Sequence, residues 1–493
     1  MAQVAEAFQL YVDGEFCAAE GGATFESVDP STGKVWALMP KAGAADTDRA
    51  VRAAHMAFTG GLWPAMTATA RGKLLYKLAE LVARDAAIIA EFETRDTGKV
   101  IRETKAVTGY VAEFYRYFGG LADKVEGSTL PIDKPDMEVS TRREPLGVVA
   151  AVVPWNSQMF LTSTKLGPAL AAGNTVVLKA SEDGPAPLLH FAKLIHEAGF
   201  PAGVVNIITG LGADCGQVLT SHPLVARVAF TGGPDTARHV VRNTAANFAV
   251  TTLELGGKSP VVVFDDANLD SALNGVIAGI WGATGQSCVA GSRLLVHESI
   301  HDSFVAKLAA RAGQIKIGPP LDMATEMGPL ATLRQLQRAE KLIAASVAAG
   351  AVVVTGGKAR GGDGYYFEPT LLLAPTASLP CVREEFFGPV LSVLKFKTED
   401  EAVALANGTN YAFAAGIFTQ NLGRAHRLSK KLNAGVVWIN TYRAISPIVP
   451  LGGNGYTGYG REAGMDSIRD YTRTKSIWIN TSDVPMADPF VMR

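Results

Sequence analysis

Three residues stand where their types could do chemistry. Cys288 lies in Gly285-Gln286-Ser287-Cys288, just past an expected helix at 269–284, and its small neighbours would let another molecule reach the sulfur. An isolated cysteine is most often a small buried apolar group, and Cys17, Cys215 and Cys381 are read that way. A nucleophilic Cys288 needs a base and an oxyanion donor from elsewhere in the chain. Glu254, in Glu254-Leu255-Gly256-Gly257-Lys258, ends an expected buried strand. Burying a carboxylate without a partner is costly. Glu254 is therefore either a general base or half of an ion pair with a lysine such as Lys258, and spacing leaves both open. Asn156, in Pro154-Trp155-Asn156, follows another expected strand. Its amide suits a developing oxyanion, or equally a turn in which it bonds its own backbone.

A second group of motifs suits a nucleotide. Phe230-Thr231-Gly232-Gly233 joins a strand to a helix, where glycines let a phosphate approach the helix N-terminus. Lys179-Ala180-Ser181-Glu182 follows a strand, and a Lys and a Glu there would hold ribose hydroxyls. A carboxylate repels a 2′-phosphate, which favours NAD over NADP; the alternative is a solvated strand end. Gly210–Gly216 misplaces its last glycine for a dinucleotide fingerprint and is read as a turn. Asp96-Thr97-Gly98-Lys99 is read as a helix end. Arg383–Val390 sets two acids and two aromatics beside a turn, fit to hold a sugar and flank a planar ring, or to be core aromatics at the start of an edge strand.

Regular elements must position these residues. Asp13-Gly14 between Leu10–Val12 and Glu15–Phe16 reads as a hairpin. Two or three helices are expected next, the clearest over 71–94 and 103–121. From Gly147, short apolar strands at 148–153, 175–178, 204–208, 227–230 and 251–255 alternate with helices. A second alternation begins at Pro260, with strands at 260–264, 292–297, 352–354, 389–394, 414–419 and 435–439. Such alternation implies parallel sheets covered on both faces. The segments 137–143 and 472–479 alternate like exposed strands and lie outside both patterns.

The 493 residues suffice for roughly three domain-sized units. With 46 basic and 47 acidic side chains, the chain has no nucleic-acid footprint, and no apolar run is long enough to span a membrane. Four scattered cysteines make neither a disulfide framework nor a metal site. The opening MAQVAEAFQL lacks a basic stretch followed by a long apolar core, so the expected location is the cytoplasm.

Together and in this order, the motifs resemble the aldehyde dehydrogenase superfamily, in its hydrolytic NAD(P)-dependent branch. The resemblance runs from the hairpin to the tail strand. It includes Pro450–Glu462, which departs from the family pattern at Leu451, Gly455 and Thr457, near the substrate mouth. It implies an α/β fold with two Rossmann-like parallel-sheet domains and a small β oligomerisation arm. The NAD-binding domain would take 1–122 and 146–256, the catalytic domain 257–465, and the arm 123–145 and 466–493.

By the same resemblance Cys288 is the nucleophile, Glu254 the base for the deacylating water, and Asn156 with the Cys288 N–H the oxyanion hole. Glu462 assists proton movement. Trp155, Lys179, Glu182, Gly232, Gly233, Glu385 and Phe387 hold NAD. The substrate tunnel takes Ser157, Phe160, Leu161, Thr164, Trp281, Ser287, Val289 and Leu451. Ser157 and Thr164 stand where bulky aromatics often narrow it, which suggests a wide mouth suited to aromatic or branched aldehydes. Arg443 either meets a substrate carboxylate or is a surface-loop arginine. No metal is implied. The expected partners are a small aldehyde and further copies of the chain, as a homodimer or homotetramer, with no nucleic acid and no membrane.

Three rivals fit less well. A coenzyme-A-acylating enzyme needs no Glu254. A non-catalytic protein of this fold needs neither Cys288 nor Glu254. A cofactor-free cysteine hydrolase leaves the double α/β layout and the Lys179/Glu182 pair unexplained.

Overall fold

The computed structural model describes residues 6–491. Residues 1–5, half of the opening MAQVAEAFQL, and 492–493, the end of the expected arm, lie outside the described residues.

Turn chemistry opens the fold. Leu10–Val12 and Glu15–Cys17 pair antiparallel, and Asp13 and Gly14 take φ of 55° and 81° between them. Two positive φ values are what a type I′ turn requires. The hairpin docks antiparallel on Val205–Thr209, at one edge of an eight-stranded sheet. The middle of that sheet is parallel, in the spatial order Val250–Glu254, Val225–Thr231, Val148–Val153, Thr175–Ala180, Val205–Thr209. These strands are Val- and Ala-rich because helices cover both faces, and almost all their residues are buried. The order reverses between Val148–Val153 and Val225–Thr231, so connections leave to opposite sides there. A crevice opens at the carboxyl ends of such a pair.

The second sheet has seven strands, in the order Val352–Thr355, Thr370–Leu373, Val390–Phe396, Arg293–His297, Pro260–Val263, Ala414–Phe418, Val436–Ile439. All neighbours are parallel except the edge strand Val352–Thr355. Arg293 is almost wholly buried beneath this sheet, and its guanidinium donates to the carbonyls of Lys258 (2.7 Å), Leu405 (2.7 Å) and Ala406 (2.6 Å). That satisfies a buried cation with backbone acceptors and pins the loop bearing Lys258.

A third sheet projects from the body. Thr472–Asn480 pairs antiparallel with Met137–Pro145 along its whole length, and Thr129–Leu130 completes it. Its root is tied down by buried Asn174, which accepts from the Leu146 and Gly147 N–H groups and donates to the Ala169 and Tyr471 carbonyls. Among the described residues no helix is long and apolar enough to cross a membrane.

Several elements depart from the sequence pattern. Thr24–Asp29 and Lys34–Pro40 form an antiparallel pair where helices were expected to begin, before the helix Ala44–Thr59. Their alternation is too weak to show as strands. The single helix expected over 71–94 is two, Ala68–Arg84 and Ala86–Thr97, broken at Asp85 (φ −93°, ψ 8°). Both pack on one core, so their apolar spacing runs on across the break. Thr370–Leu373, a short apolar run behind Pro369, is a central strand that periodicity alone could not tell from a buried turn.

The strand Gly458–Tyr459 pairs antiparallel with Leu253–Glu254. Gly458 has φ +104°, and a Cβ there would run into the Leu253 carbonyl. Gly458→Ala is therefore expected to cost about 2 kcal/mol or more of stability. The measurement is the urea unfolding midpoint; an unchanged midpoint would contradict this account of the edge pairing.

Candidate active site

The crevice at the strand reversal holds two hollows with shared walls, of ≈ 580 and ≈ 630 Å³. Pro154, Trp155, Thr231, Gly232 and Gly233 line both. The first sheet contributes residues just after its strands: Trp155 and Asn156 after Val148–Val153, and Gly232 and Gly233 after Val225–Thr231. The second sheet contributes residues just before its strands: Gly256 before Pro260–Val263, Cys288 before Arg293–His297, and Glu385 and Phe387 before Val390–Phe396. Carboxyl ends of one sheet thus face amino ends of the other.

The first hollow suits a nucleotide. Lys179 Nζ donates to Glu182 Oε2 at 2.8 Å at its wall. Burial pushes the Glu182 carboxyl up, but Lys179 more than offsets this and holds it below the ordinary carboxylate value. The helix Pro234–Thr244 begins at Gly233 without a side-chain cap, and a Cβ on Gly233 would meet nothing within 4 Å. Uncapped N–H groups beside open space form an anion site. The turn at Gly212–Gly216, in the stretch read as a mere turn, also lines this hollow. These residues fit an adenine dinucleotide diphosphate: ribose acceptors at one end, amide donors in the middle.

The second hollow holds the reactive side chains. Trp155 and Phe387 meet edge to face, with centroids 5.5 Å apart. Glu385 Oε1 accepts from the Gly257 N–H at 2.7 Å, and burial pushes its carboxyl up to about 7. The loop needs both of its glycines. A Cβ on Gly256 would strike the Glu385 carboxylate, and one on Gly257 would lie 2.5 Å from the Cys288 carbonyl. Burial, with the carboxylates of Glu254 and Glu385, pushes the Cys288 thiol up to about 12. The thiol therefore keeps its proton at neutral pH until a base or a positive charge acts on it.

Asn156 is buried, and its Nδ2 donates to the Gln286 carbonyl at 3.1 Å, not to its own turn. That bond spans both halves of the site and leaves one amide N–H for another acceptor. Behind it, Ser157 Oγ donates to the Asn156 carbonyl at 2.6 Å and accepts from Lys99 Nζ at 3.1 Å. Lys99 is itself paired with buried Glu93 at 3.0 Å. The Asp96–Lys99 segment does end a helix, and its lysine also props the Asn156 loop.

Glu254 is fully buried, and neither of its oxygens has a hydrogen-bond partner. The ion pair with Lys258 left open by spacing is absent. Lys258 Nζ is also without a hydrogen-bond partner and sits 4.9 Å from the centre of the Phe386 ring. Burial pushes the Glu254 carboxyl well above its ordinary value, the Glu462 carboxylate pushes it further, and Lys165 opposes them. Glu462 itself is held. Thr164 Oγ1 donates to its Oε2 at 2.5 Å, and Lys165 Nζ donates to its Oε1 and to Thr231 Oγ1 (2.6 Å). The Lys165 contribution was not read from sequence. Its signal was there: it is the only charged residue in the buried helix Gln158–Ala172.

Of the expected tunnel residues, Phe160, Trp281, Val289 and Leu451 join Cys288 in one apolar cluster, and Ser157 and Ser287 are partly exposed. Leu161 is buried in the core of the first sheet, and Thr164 is enclosed and committed to Glu462. Among the described residues, all four cysteines are free, and no group of three or more His, Cys, Asp or Glu side chains is placed to hold a metal.

The chain is similar over nearly its whole length to known proteins of one family. A sequence model of the aldehyde dehydrogenase family matches residues 16–477. The chain is 57% identical over 487 residues to a (Z)-2-((N-methylformamido)methylene)-5-hydroxybutyrolactone dehydrogenase of Acinetobacter baylyi, covering 99% of both chains. It is 41% identical over 471 residues to aldehyde dehydrogenase 1 of Tanacetum cinerariifolium, covering 95% of this chain and 94% of that one. Among solved structures, the NAD+ complex of a Bacillus cereus aldehyde dehydrogenase superposes with a TM-score of 0.95 at 40% identity, covering 97% of both chains.

The electrostatics carry a sign. A carboxyl raised by a neighbouring negative charge falls when that charge is removed. Glu462→Gln removes the charge and leaves Lys165 uncompensated, so Glu254 should ionise at lower pH than in the wild type. The protonated-carboxyl infrared band, assigned with Glu254→Gln, reads this directly. No shift, or a shift to higher pH, would contradict the proposed coupling.

Proposed function

The chain belongs to the aldehyde dehydrogenase family, and from that membership we propose that it oxidises an aldehyde to the carboxylic acid with NAD as hydride acceptor. The observation that carries this is a thiol, an amide donor and an unpartnered buried carboxyl, Cys288, Asn156 and Glu254, lining one hollow beside a nucleotide-shaped one.

A free aldehyde gives up hydride poorly, because an acylium ion would remain. Cys288 loses its thiol proton to solvent and adds to the carbonyl carbon as the thiolate, forming a thiohemiacetal whose oxygen carries the charge. The Asn156 amide and the Cys288 N–H donate hydrogen bonds to that oxyanion, and its collapse expels hydride from the same carbon. When bound, NAD supplies the electron-poor ring that takes the hydride. Lys179 and Glu182 would hold its adenosine ribose, Gly232 and Gly233 would admit its diphosphate, Glu385 would hold the second ribose, and Trp155 and Phe387 would wall the ring. The product thioester then needs water. Glu254 takes the proton of that water, the C–S bond breaks, and the acid leaves with the thiolate regenerated. Glu462, pinned by Lys165 and beside Glu254, sets when Glu254 can accept a proton. Proton release proceeds on that side.

The tunnel runs past Ser157, Phe160, Trp281, Ser287, Val289 and Leu451, with Leu161 and Thr164 behind its wall. A small Ser157 leaves room for aromatic or branched aldehydes. Similarity to the Acinetobacter enzyme points to a particular class. A 5-hydroxybutyrolactone is the ring form of a 4-oxobutanoate, and ring opening frees an aldehyde together with a carboxylate. The chain would act as a homodimer or homotetramer joined through the projecting sheet. Its outer strand exposes Trp478 and Ile479 at 58% and 50%, a poor surface to leave in water. Four unpaired cysteines suit a reducing compartment, here the cytoplasm.

Wild type with NAD and aldehyde is expected to yield NADH and free acid, with no dependence on coenzyme A; an acyl-thioester product would contradict the hydrolytic assignment. Asn156→Ala should slow turnover about 100-fold or more with little change in NAD affinity. Unchanged turnover would reject the oxyanion role.

A further inference from the structure

Arg443 is the charged residue that the proposed chemistry leaves without a task. It is half-buried, and its backbone holds φ +63°, a left-handed conformation that non-glycine residues adopt at a cost. Its guanidinium makes one hydrogen bond, from Nη1 to the Ala278 carbonyl at 3.0 Å, and pairs with no carboxylate among the described residues. The remaining N–H groups are unspent.

The place of this guanidinium is fixed from two sides. Tyr442, the residue before it, donates its hydroxyl to the Val289 carbonyl at 3.0 Å, one residue past Cys288. On the other side a Cβ on Gly282 would run into Arg443 Nη1. The Glu103 carboxylate lies 3.7 Å from that same Cβ position and is already satisfied by the Ala283 N–H. It offsets part of the charge without taking the guanidinium's donors. Beside Gly282, Trp281 is buried with an indole N–H that has no partner. Trp281 and Cys288 belong to one apolar cluster. The Trp281 N–H, buried without a partner beside that guanidinium, calls for a ligand that brings acceptors.

We propose that Arg443 binds the far-end carboxylate of a short oxo acid while its aldehyde meets Cys288, and that Gly282 is small to make room for the guanidinium. This rests on the aldehyde oxidation proposed above. It makes Arg443 a specificity residue with no part in the bond-making steps. An arginine suits the task because its planar fork meets both carboxylate oxygens.

The test compares kcat/KM for 4-oxobutanoate with that for butanal, using NAD and the full chain. Wild type should favour the oxo acid. Arg443→Gln should lower the ratio about tenfold or more, chiefly through KM for the oxo acid. Arg443→Lys should retain part of the preference. Gly282→Ala, which keeps the arginine but displaces it, should also lower the ratio. A ratio unmoved by Arg443→Gln in a chain that oxidises both aldehydes overturns this assignment alone. A wild type that oxidises neither overturns the proposed oxidation, and this assignment with it.

Discussion

Lys165 has no exposed surface, so its ammonium needs an opposite charge and hydrogen-bond acceptors where it stands. It pairs with Glu462 and also donates to Thr231, while Thr164 closes the other oxygen of the carboxylate. Removing one member of such a pair typically costs about 3–5 kcal/mol, because the other is left buried and alone. The arrangement fixes one negative charge beside Glu254 and gives Glu254 no partner of its own. A carboxyl in that position holds its proton more tightly than an exposed one. It becomes a correspondingly stronger base once the proton is gone.

The rest of the fold brings other groups to that carboxyl. One sheet offers the carboxyl ends of its strands and the other the amino ends, so short loops from both meet across one crevice. Backbone closeness there is set by residues without side chains: Gly256 against Glu385, and Gly257 against the Cys288 carbonyl. The Asn156–Gln286 bond crosses the same gap. Burial, with the carboxylates of Glu254 and Glu385, keeps the Cys288 thiol protonated. A resting cysteine that is mostly neutral resists stray alkylation and oxidation, and it suits a site that gains nucleophilicity only when a positive ring is bound.

Much of this was legible in the sequence, for identifiable reasons. The Val-rich parallel strands declare themselves because both their faces are buried, and Asp13-Gly14 declares the hairpin because few dipeptides accept two positive φ values. The motifs around Cys288, Glu254 and Asn156 named residues that line one hollow in three dimensions. What spacing could not carry was pairing. Whether Glu254 meets Lys258 depends on where two buried side chains turn, and both turn away from a partner. Lys165 and Lys99 bond partners roughly 60 to 300 positions distant in sequence, which no local pattern reports. The weakly alternating strands at 24–40 were hidden because a small separate sheet buries too little to enforce a clean period.

Glu254 is proposed as the base that frees the acyl group from Cys288. The most direct measurement is the intact mass of Glu254→Gln mixed with NAD and an aldehyde, recorded alongside NADH formation. The account predicts a single burst of about one NADH per site, followed by a stall with one acyl group on Cys288. Sustained turnover at the wild-type rate, or an acyl group found on another residue, would contradict it.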